Sequence, residues 1–386
     1  MNEDHLQQIF ENYINRFEEF NSEDRKKPSE YYKWEITISF KKIMDRALNG
    51  KAEDFASELD EIKRATSDFI DNKNKWPLAG MRRVAEKKGG AIQELFRALY
   101  AEDSDNLRER QNKIRKFLEQ IHQLEEQEGL SNQFRNDFHS VTTYLFLYDP
   151  DRNYVYKPTH AQAFQDCIDF YNDFVEGDNV NLEVYYQMCD DLVEAIKNNL
   201  AIQETDKLRA KKFKGEAHPD TKKHILAYDI IYCASQYDLF RGITFVHRTT
   251  KERKVLFEKQ EKAKALLVEL KKAQEEKKKL DEAREAVDEA FCTGKNISYK
   301  NFGKNAPIQN GTIAKRNNNI VVINLEGENN KTVVLPDAVV NGYIWPQDEQ
   351  EAAGLASSIE LLRNRSMIKT NLETAEREFA PYNDYI

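Results

Sequence analysis

Apolar residues recur at three- and four-residue steps through the first 200 residues of the chain. This period is typical of amphipathic helices, because about 3.6 residues complete one turn. Proline and glycine interrupt the pattern at Trp76-Pro77, Lys88-Gly89-Gly90 and Tyr148-Asp149-Pro150. The pattern predicts an all-helical N-terminal domain over residues 1–205, with helices at 5–20, 32–48, 52–71, 91–100, 107–127 and 136–148.

A second helical pattern begins at residue 250 and consists almost entirely of Lys, Glu, Ala and Leu. The charges of its twelve basic and eleven acidic residues nearly cancel, which predicts a salt-bridged helix of roughly 60 Å. Helical spacing returns over 347–379, which predicts an antiparallel coiled-coil hairpin formed by 250–291 and 347–386. The expected a and d positions are Leu256, Ala263, Leu267, Leu270, Gln274, Leu280, Arg284 and Val287.

Between these helices, residues 292–346 have the pattern of a small β module. The runs 320–325 and 332–335 are rich in β-branched residues, and turn residues separate them at Gly303, Asn310-Gly311, 317–319 and 327–330. The fold class expected for the whole chain is therefore mainly α, with the coiled-coil hairpin carrying a β-barrel. A module of this size buries too little area to form an enzyme by itself, which favours recognition over catalysis.

The segments SYKNFG, NGTI, NNIVVINLEGE and KTVVLPDAVVNGY of the β module resemble the SH3-like or Tudor-like barrel that ends UvrD-type helicases. Three positions depart from that family's pattern: Tyr299 stands for a common His, Asn305 for Gly and Val339 for Phe. The resemblance implies a binding module and leaves open whether it binds protein or nucleic acid. Its candidate aromatic contacts are Tyr299, Tyr343 and Trp345.

The N-terminal half carries a second resemblance, in YYKWEITISFKKIMD, AEDFASEL, AIQELFRALYAED and SVTTYLFLYDPDRNYVYK. These segments resemble the helical region that precedes the ATPase of some McrB-type restriction proteins. That resemblance implies a recognition or effector-coupling domain in bacterial defence against foreign DNA. The sequence departs from the family in having no GxxxxGK[ST] phosphate-binding loop, so it encodes no motor.

Charge restricts where nucleic acid could bind. The net charge of −9 gives no global attraction to DNA or membranes, so any phosphate contact must come from a local patch. The strongest basic run lies in 207–223, and its alternative interpretation is a solvated linker that leads to an apolar helix at 224–245, the two together spanning 206–249. The predicted phosphate contacts are Lys207, Arg209, Lys211, Lys212, Lys214, Lys222 and Lys223, with Lys300, Lys315 and Arg316 on the barrel.

Catalytic and metal-binding patterns are weak. His218, Asp220, His224 and Asp229 could ligate a metal, but Asp220 or Thr221 is equally well placed to cap the following helix. The nuclease-like string Asp60-Glu61-Ile62-Lys63 falls in a helical pattern rather than on a strand. The four cysteines form no CxxC pair and are expected to be reduced and mostly buried. We predict no catalytic residues, metal or cofactor.

The first residues show no signal peptide and no run of eighteen apolar residues occurs, so a cytoplasmic protein without membrane contact is expected. The leading hypothesis is a non-catalytic, nucleic-acid-associated recognition or adaptor protein of bacterial antiphage defence or DNA processing. The alternatives are a scaffold that docks on a helicase or ATPase and, last, a metal-dependent hydrolase. Self-association stays open.

Overall fold

The computed structural model describes residues 1–22, 29–66, 69–103, 105–176, 179–212, 215–301, 306–327 and 329–386. The chain divides into two compact units, Met1–Val255 and Leu256–Ile386, and the boundary between them falls inside a single long helix. The fold is mainly α with a small curled antiparallel sheet near the C-terminus, which confirms the predicted fold class. Within the described ranges, no helix is long and apolar enough to cross a bilayer.

The first unit is built from helices, and those at Tyr32–Asn49, Leu107–Gln127 and Phe138–Tyr148 lie within two residues of their predicted bounds. The helices are α1 Glu3–Asn15, α2 Phe17–Phe20, α3 Tyr32–Asn49, α4 Phe55–Thr66, α5 Pro77–Tyr100, α6 Leu107–Gln127, α7 Phe138–Tyr148, α8 Pro158–Cys167, α9 Leu182–Asn198, α10 Leu200–Lys212 and α11 His224–Gln236. A short antiparallel ribbon, β1 Val175–Glu176 and β2 Asn179–Val180, lies between α8 and α9. Aromatic residues fill much of the core, among them Trp34, Phe96 and Tyr144.

Helix α5 continues through the glycine pair that the sequence pattern marked as a break. Lys88 has non-helical torsion angles, φ −135° and ψ 40°, so the helix kinks there without ending. A Cβ built on Gly89 would stand 2.0 Å from the carbonyl oxygen of Ala52, which leaves room only for glycine. The glycines therefore allow close packing of α5 against the neighbouring turn, instead of terminating the helix.

The first unit extends well beyond the predicted domain end at residue 205. Helices α10 and α11 belong to it. The apolar helix expected from residue 224 is α11, whereas the basic stretch up to Lys212 is helical and not a solvated linker. Nearly every residue from Ile225 to Ile231 is buried. A helix that is apolar around its whole circumference must be covered on all sides, and the surrounding helices supply that cover.

The second unit combines the rest of helix α12, Thr250–Ala290, with a sheet and short helices. The strands are β3 Asn296–Lys300, β4 Ile308–Asn317, β5 Ile320–Leu325, β6 Lys331–Val334 and β7 Ile344–Pro346. They form one antiparallel sheet in the order β6-β5-β4-β3-β7, with a bulge between Ile313 and Lys315. The expected turn at Gly303 and the departure at Asn305 lie outside the described residues.

Helices α13 Asp337–Val340, α14 Glu349–Gly354, α15 Ala356–Arg363 and α16 Arg365–Phe379 complete the second unit. Helix α16 runs antiparallel to α12, since Lys259 donates to the hydroxyl of Tyr385 at 3.0 Å and Lys262 lies 4.9 Å from the ring centre of Tyr382. The predicted hairpin therefore forms within this unit.

The buried seam of α12 differs from the expected heptad in two places. Ala263, Leu270, Leu280 and Val287 are buried as predicted, and Leu256 and Leu267 are half-buried. Gln274 and Arg284 are exposed, and the preceding alanines, Ala273 and Ala283, are buried in their place. The one-residue shift puts small side chains on the seam and keeps the long polar ones in solvent.

Candidate binding surfaces

The basic run of the sequence does not form one basic surface. Its first part, Lys207 to Lys212, lies on α10 and not on a linker. Arg209 is only 3% exposed, so it is not available to a phosphate. Its guanidinium lies 3.6 Å from the ring centre of Trp34, and its Nε donates to Asp206 at 2.9 Å. The helical period explains this, because Ile202, Thr205, Asp206 and Arg209 form the inward face of α10.

Three of the six lysines in the run are paired with carboxylates. Lys223 donates to Asp206 at 2.7 Å, Lys207 pairs with Glu204 at 2.6 Å, and Lys212 pairs with Glu18. Lys211 and Lys222 are exposed and contact no carboxylate in the described part of the chain. Lys214 lies outside the described residues.

The candidate metal ligands serve structural roles instead of converging. Asp220 accepts backbone hydrogen bonds from Ile225 at 3.1 Å and Leu226 at 2.9 Å, which caps the start of α11 and confirms the capping alternative. The ring of His224 packs 4.1 Å from that of Tyr154. Among the described residues, no group of three His, Cys, Asp or Glu side chains could hold a metal ion.

Asp229, the fourth candidate ligand, belongs to a buried ionic cluster that the sequence did not reveal. Lys33 Nζ lies 2.5 Å from Asp229 and 3.0 Å from Glu30, and the Tyr13 hydroxyl donates to Asp229 at 2.7 Å. Burial by itself lowers the pKa of Lys33, but the negative charges of Asp229 and Glu30 hold that pKa well above its ordinary value. The cluster therefore keeps a charged lysine inside the unit.

The inward position of Lys33 follows from the helical period of α3, which places it with Ile36, Thr37 and Phe40 on the buried side. Its ammonium also lies 4.1 Å from the ring centre of Tyr232, a favourable cation–π distance. A lysine at an inward helical position was the signal that the sequence offered for this cluster. No sequence pattern indicated its partner Asp229, which lies 196 residues away.

In the second unit, strand alternation separates the predicted aromatic contacts. Tyr299 is 5% exposed and lies with Ile297 on the inner face of the sheet, where α12 and the short helices cover it. It is therefore not the surface residue that was expected, since residues i and i+2 of a strand share a face. Trp345 pairs with Ser298, which places it on the outer face, and it is half-buried. Tyr343 precedes β7, and its carbonyl accepts from the backbone of Lys300.

The outer face of the sheet exposes aliphatic side chains. Ile320 on β5 stands directly opposite Val334 on β6, and the two are 47% and 51% exposed. Val322 follows Ile320 on the same face and pairs with Lys315 across the bulge. Two exposed β-branched residues on adjacent strands, with the half-buried Val322 and the exposed Lys315 beside them, form a partly apolar surface. It is named here the outer-face patch: Lys315, Ile320, Val322 and Val334.

The predicted cations of the sheet differ in availability. Arg316 is turned toward α12, where it donates to the carbonyl and the carboxylate of Asp288. It anchors β4 and is not available to a ligand. Lys315 is exposed, Lys300 is half-buried, and neither contacts a carboxylate in the part of the chain that is described. The alternation Ile320, Val322 in the sequence was a usable signal for the outer face.

No family model, curated protein or solved structure matches the chain. The resemblances to McrB-type and UvrD-type proteins therefore stay predictions. On the outer-face patch, exposed apolar residues stand opposite each other on neighbouring strands, and this arrangement is the basis of the functional inference below.

Proposed function

We propose that the chain is a non-catalytic adaptor that docks a protein partner on the outer face of its C-terminal sheet. The observation that carries the proposal is the exposure of Ile320 and Val334 directly opposite each other on β5 and β6. Leaving two adjacent β-branched side chains half exposed forgoes the free energy that burying them would contribute. A partner that covers Ile320 and Val334 gains this free energy on binding.

The chemistry of the patch specifies the partner. Lys315 lies beside Val322 on the patch, and no carboxylate in the described part of the chain neutralises it. A segment that combines aliphatic side chains with aspartate or glutamate therefore complements this face. The partner is expected to present an apolar and acidic strand or helix face.

The class of partner comes from the resemblance of the β module to UvrD-type helicase barrels and of the N-terminal helices to McrB-type proteins. Both favour a helicase or ATPase of a bacterial defence or DNA-processing system as the protein that is docked. The adaptor would then position that enzyme, which performs the chemistry.

Nucleic acid is the second candidate ligand of the same face. The outer face also carries one aromatic ring and two lysines, Trp345, Lys300 and Lys315. An aromatic ring with neighbouring lysines on an open sheet can stack a base and contact phosphates. The aliphatic centre of the patch favours protein, since Ile320, Val322 and Val334 offer nothing to a phosphate.

The test starts with capture of partners on the immobilised full-length chain, with and without nuclease treatment. The captured protein is then purified and its Kd is measured for the wild type and for the double variant I320E/V334E. We expect the double variant to weaken binding by at least about 100-fold, because two exposed apolar contacts become charges that face an acidic segment.

The matched control is V268E, which places the same charge on an apolar side chain that is 64% exposed on α12. V268E is expected to retain the wild-type Kd. Equal weakening by V268E, or unchanged binding by I320E/V334E, contradicts docking on the sheet. Binding that disappears with nuclease treatment favours the nucleic-acid alternative.

A further inference from the structure

The N-terminal unit contains an open cleft of about 540 Å³, within the usual size range of small-molecule sites. Helix α3 forms one wall and the turn after α7 forms the other, while His218 closes one side. The lining residues are Thr37, Ile38, Lys41, Lys42, Asp45, Tyr148, Asp149, Pro150 and His218. The cleft belongs to the first unit alone and is therefore independent of the outer-face patch.

Much of the charge in the cleft is already neutralised. Lys41 Nζ lies 3.6 Å from Asp45 and 3.9 Å from the ring centre of Tyr148, and the Tyr148 hydroxyl donates to Asp45 at 2.7 Å. The other face of the Tyr148 ring is stacked on Tyr100 with centroids 3.9 Å apart. These residues hold one another and give the cleft a fixed wall. Lys42 is exposed and contacts no carboxylate in the described ranges.

His218 offers a second hydrogen-bond donor whose direction is fixed. Its Nδ1 accepts a hydrogen bond from the backbone N–H of Asp220 at 3.1 Å, so the neutral ring carries its proton on Nε2. The backbone N–H of His218 donates to the carbonyl of Trp34 at 2.9 Å, which holds the residue in place. The nearest carboxylate, Asp151, stands 3.8 Å from Nε2, too far for a hydrogen bond.

We propose that this cleft binds a small organic anion of the nucleoside monophosphate class. The phosphate would accept hydrogen bonds from Lys42 and from His218 Nε2, and the flat apolar body would lie against Ile38 and Pro150. Asp149, which also lines the cleft, disfavours a bare anion and would accept a hydrogen bond from an amino group, as a nucleobase carries. The inference goes beyond the docking function, because none of these residues belongs to the second unit.

Adenosine 5′-monophosphate, adenosine and inorganic phosphate serve as probes in calorimetric titrations of the full-length chain. The monophosphate is expected to bind at least about tenfold more tightly than either fragment, since only it uses both the cationic and the apolar walls. Lys42→Gln and His218→Ala should each weaken it by about tenfold or more, the size of a lost charge-assisted or oriented hydrogen bond.

The control variant is Lys51→Gln, a lysine that is 77% exposed, lies beyond the end of α3 and does not line the cleft. It should bind the monophosphate as the wild type does. Lys42 is fully on the surface, so Lys42→Gln decides the question even if His218→Ala fails to fold. No saturable binding of the monophosphate, unchanged affinity in Lys42→Gln, or equal affinity for free phosphate each overturns the proposal.

Discussion

In the N-terminal unit several charged side chains are internal, whereas in the C-terminal unit the ion pairs lie at the surface. Lys33 and Asp229 have no exposed side-chain area, and Arg253 is buried between Asp166 and Asp173. In the described part of the second unit, by contrast, the best-shielded pair, Arg316 with Asp288, still has side chains that are 18% and 39% exposed. That unit instead leaves aliphatic residues in water on its sheet.

The difference shows what a charged or apolar pattern means in each unit. Cations on the helices of the first unit are used to satisfy buried carboxylates, so a basic run in the sequence is a poor guide to a basic surface there. In the second unit the inner face of the sheet packs against the helices, and strand alternation places Ile320 and Val334 on the opposite face, where they reach solvent. The predictions below test this contrast, beginning with the largest effect.

Replacing Lys33 by Met should produce the largest loss. The substitution leaves Asp229 and Glu30 buried without their cation, and breaking a buried pair in this way costs about 3–5 kcal/mol. The free energy of unfolding of the first unit can be followed in urea by tryptophan fluorescence, since two of the three tryptophans, Trp34 and Trp76, lie in it.

Lys41→Met is the matched control, because the side chain of Lys41 is 51% exposed on the same helix and pairs with Asp45. An exposed pair of this kind contributes at most about 1 kcal/mol. Adding Asp229→Asn to Lys33→Met should recover part of the stability by removing the uncompensated charge. Equal stability of Lys33→Met and Lys41→Met would contradict an internal role for the charge.

In the second unit, the contrast between the faces of the sheet is tested on one strand. Ile323 is fully buried on the inner face and Ile320 is 47% exposed on the outer one. Ile323→Ala should cost about 2–4 kcal/mol through the cavity it leaves, whereas Ile320→Ala should cost less than about 1 kcal/mol. Urea unfolding followed by tryptophan fluorescence, to which Trp345 contributes from this unit, measures both losses. Similar losses would mean that the faces are assigned incorrectly.

The sequence predicted elements well and long-range partners poorly. Helical spacing placed α3, α6 and α7 within a few residues of their observed bounds, because one covered face per helix is a local property. The pairing of Lys33 with Asp229 spans 196 residues, and no local pattern encodes it. The extent of the first unit was missed for the same reason, since the cover of α11 comes from distant helices.

The candidate surfaces include one error that the local pattern could have prevented and one site that it could not show. Tyr299 was expected at the surface because aromatic residues often bind ligands, but its alternation with Ser298 already placed it on the face of Ile297. That error was avoidable from the strand period. The cleft was not predictable, because α3, the turn after α7 and His218 meet only in the folded unit.

Acid should weaken the first unit through His160, one of three histidines in that unit, with His139 and His224, whose pKa is lowered by burial. Burial lowers the pKa of His160 to about 4 from an ordinary value of 6.5. The unfolded chain therefore takes up this proton first, so the stabilising contribution is complete above pH 6.5 and is lost as the pH falls from 6.5 toward 4. Stability falls as the pH falls because the folded state binds fewer protons than the unfolded state between pH 6.5 and pH 4.

Phe in place of His160 keeps a ring stacked on Tyr232, where the centroids are 5.0 Å apart, and removes the titration. The difference in unfolding free energy between wild type and H160F should shift in favour of the variant as the pH falls through this window. Comparison of the two proteins is needed because burial raises the pKa of Glu125 and Asp220, and those groups act in the opposite direction. A pH-independent difference would contradict the burial of His160.

The smallest effect is expected from reversing the two exposed, unpaired lysines of the basic run. Lys211→Glu with Lys222→Glu should change the unfolding free energy by less than about 0.5 kcal/mol, because neither residue contacts a carboxylate within the described ranges. Seven phosphate contacts from the run would give a slope of about −6 in log K against log salt for duplex DNA, whereas two give about −2. Fluorescence anisotropy of a labelled duplex at varied salt measures that slope. A slope near −6 that falls strongly in the double variant would show that the paired lysines leave their carboxylates to bind phosphate. The contrast between internal charge in the first unit and surface charge in the second would then be wrong.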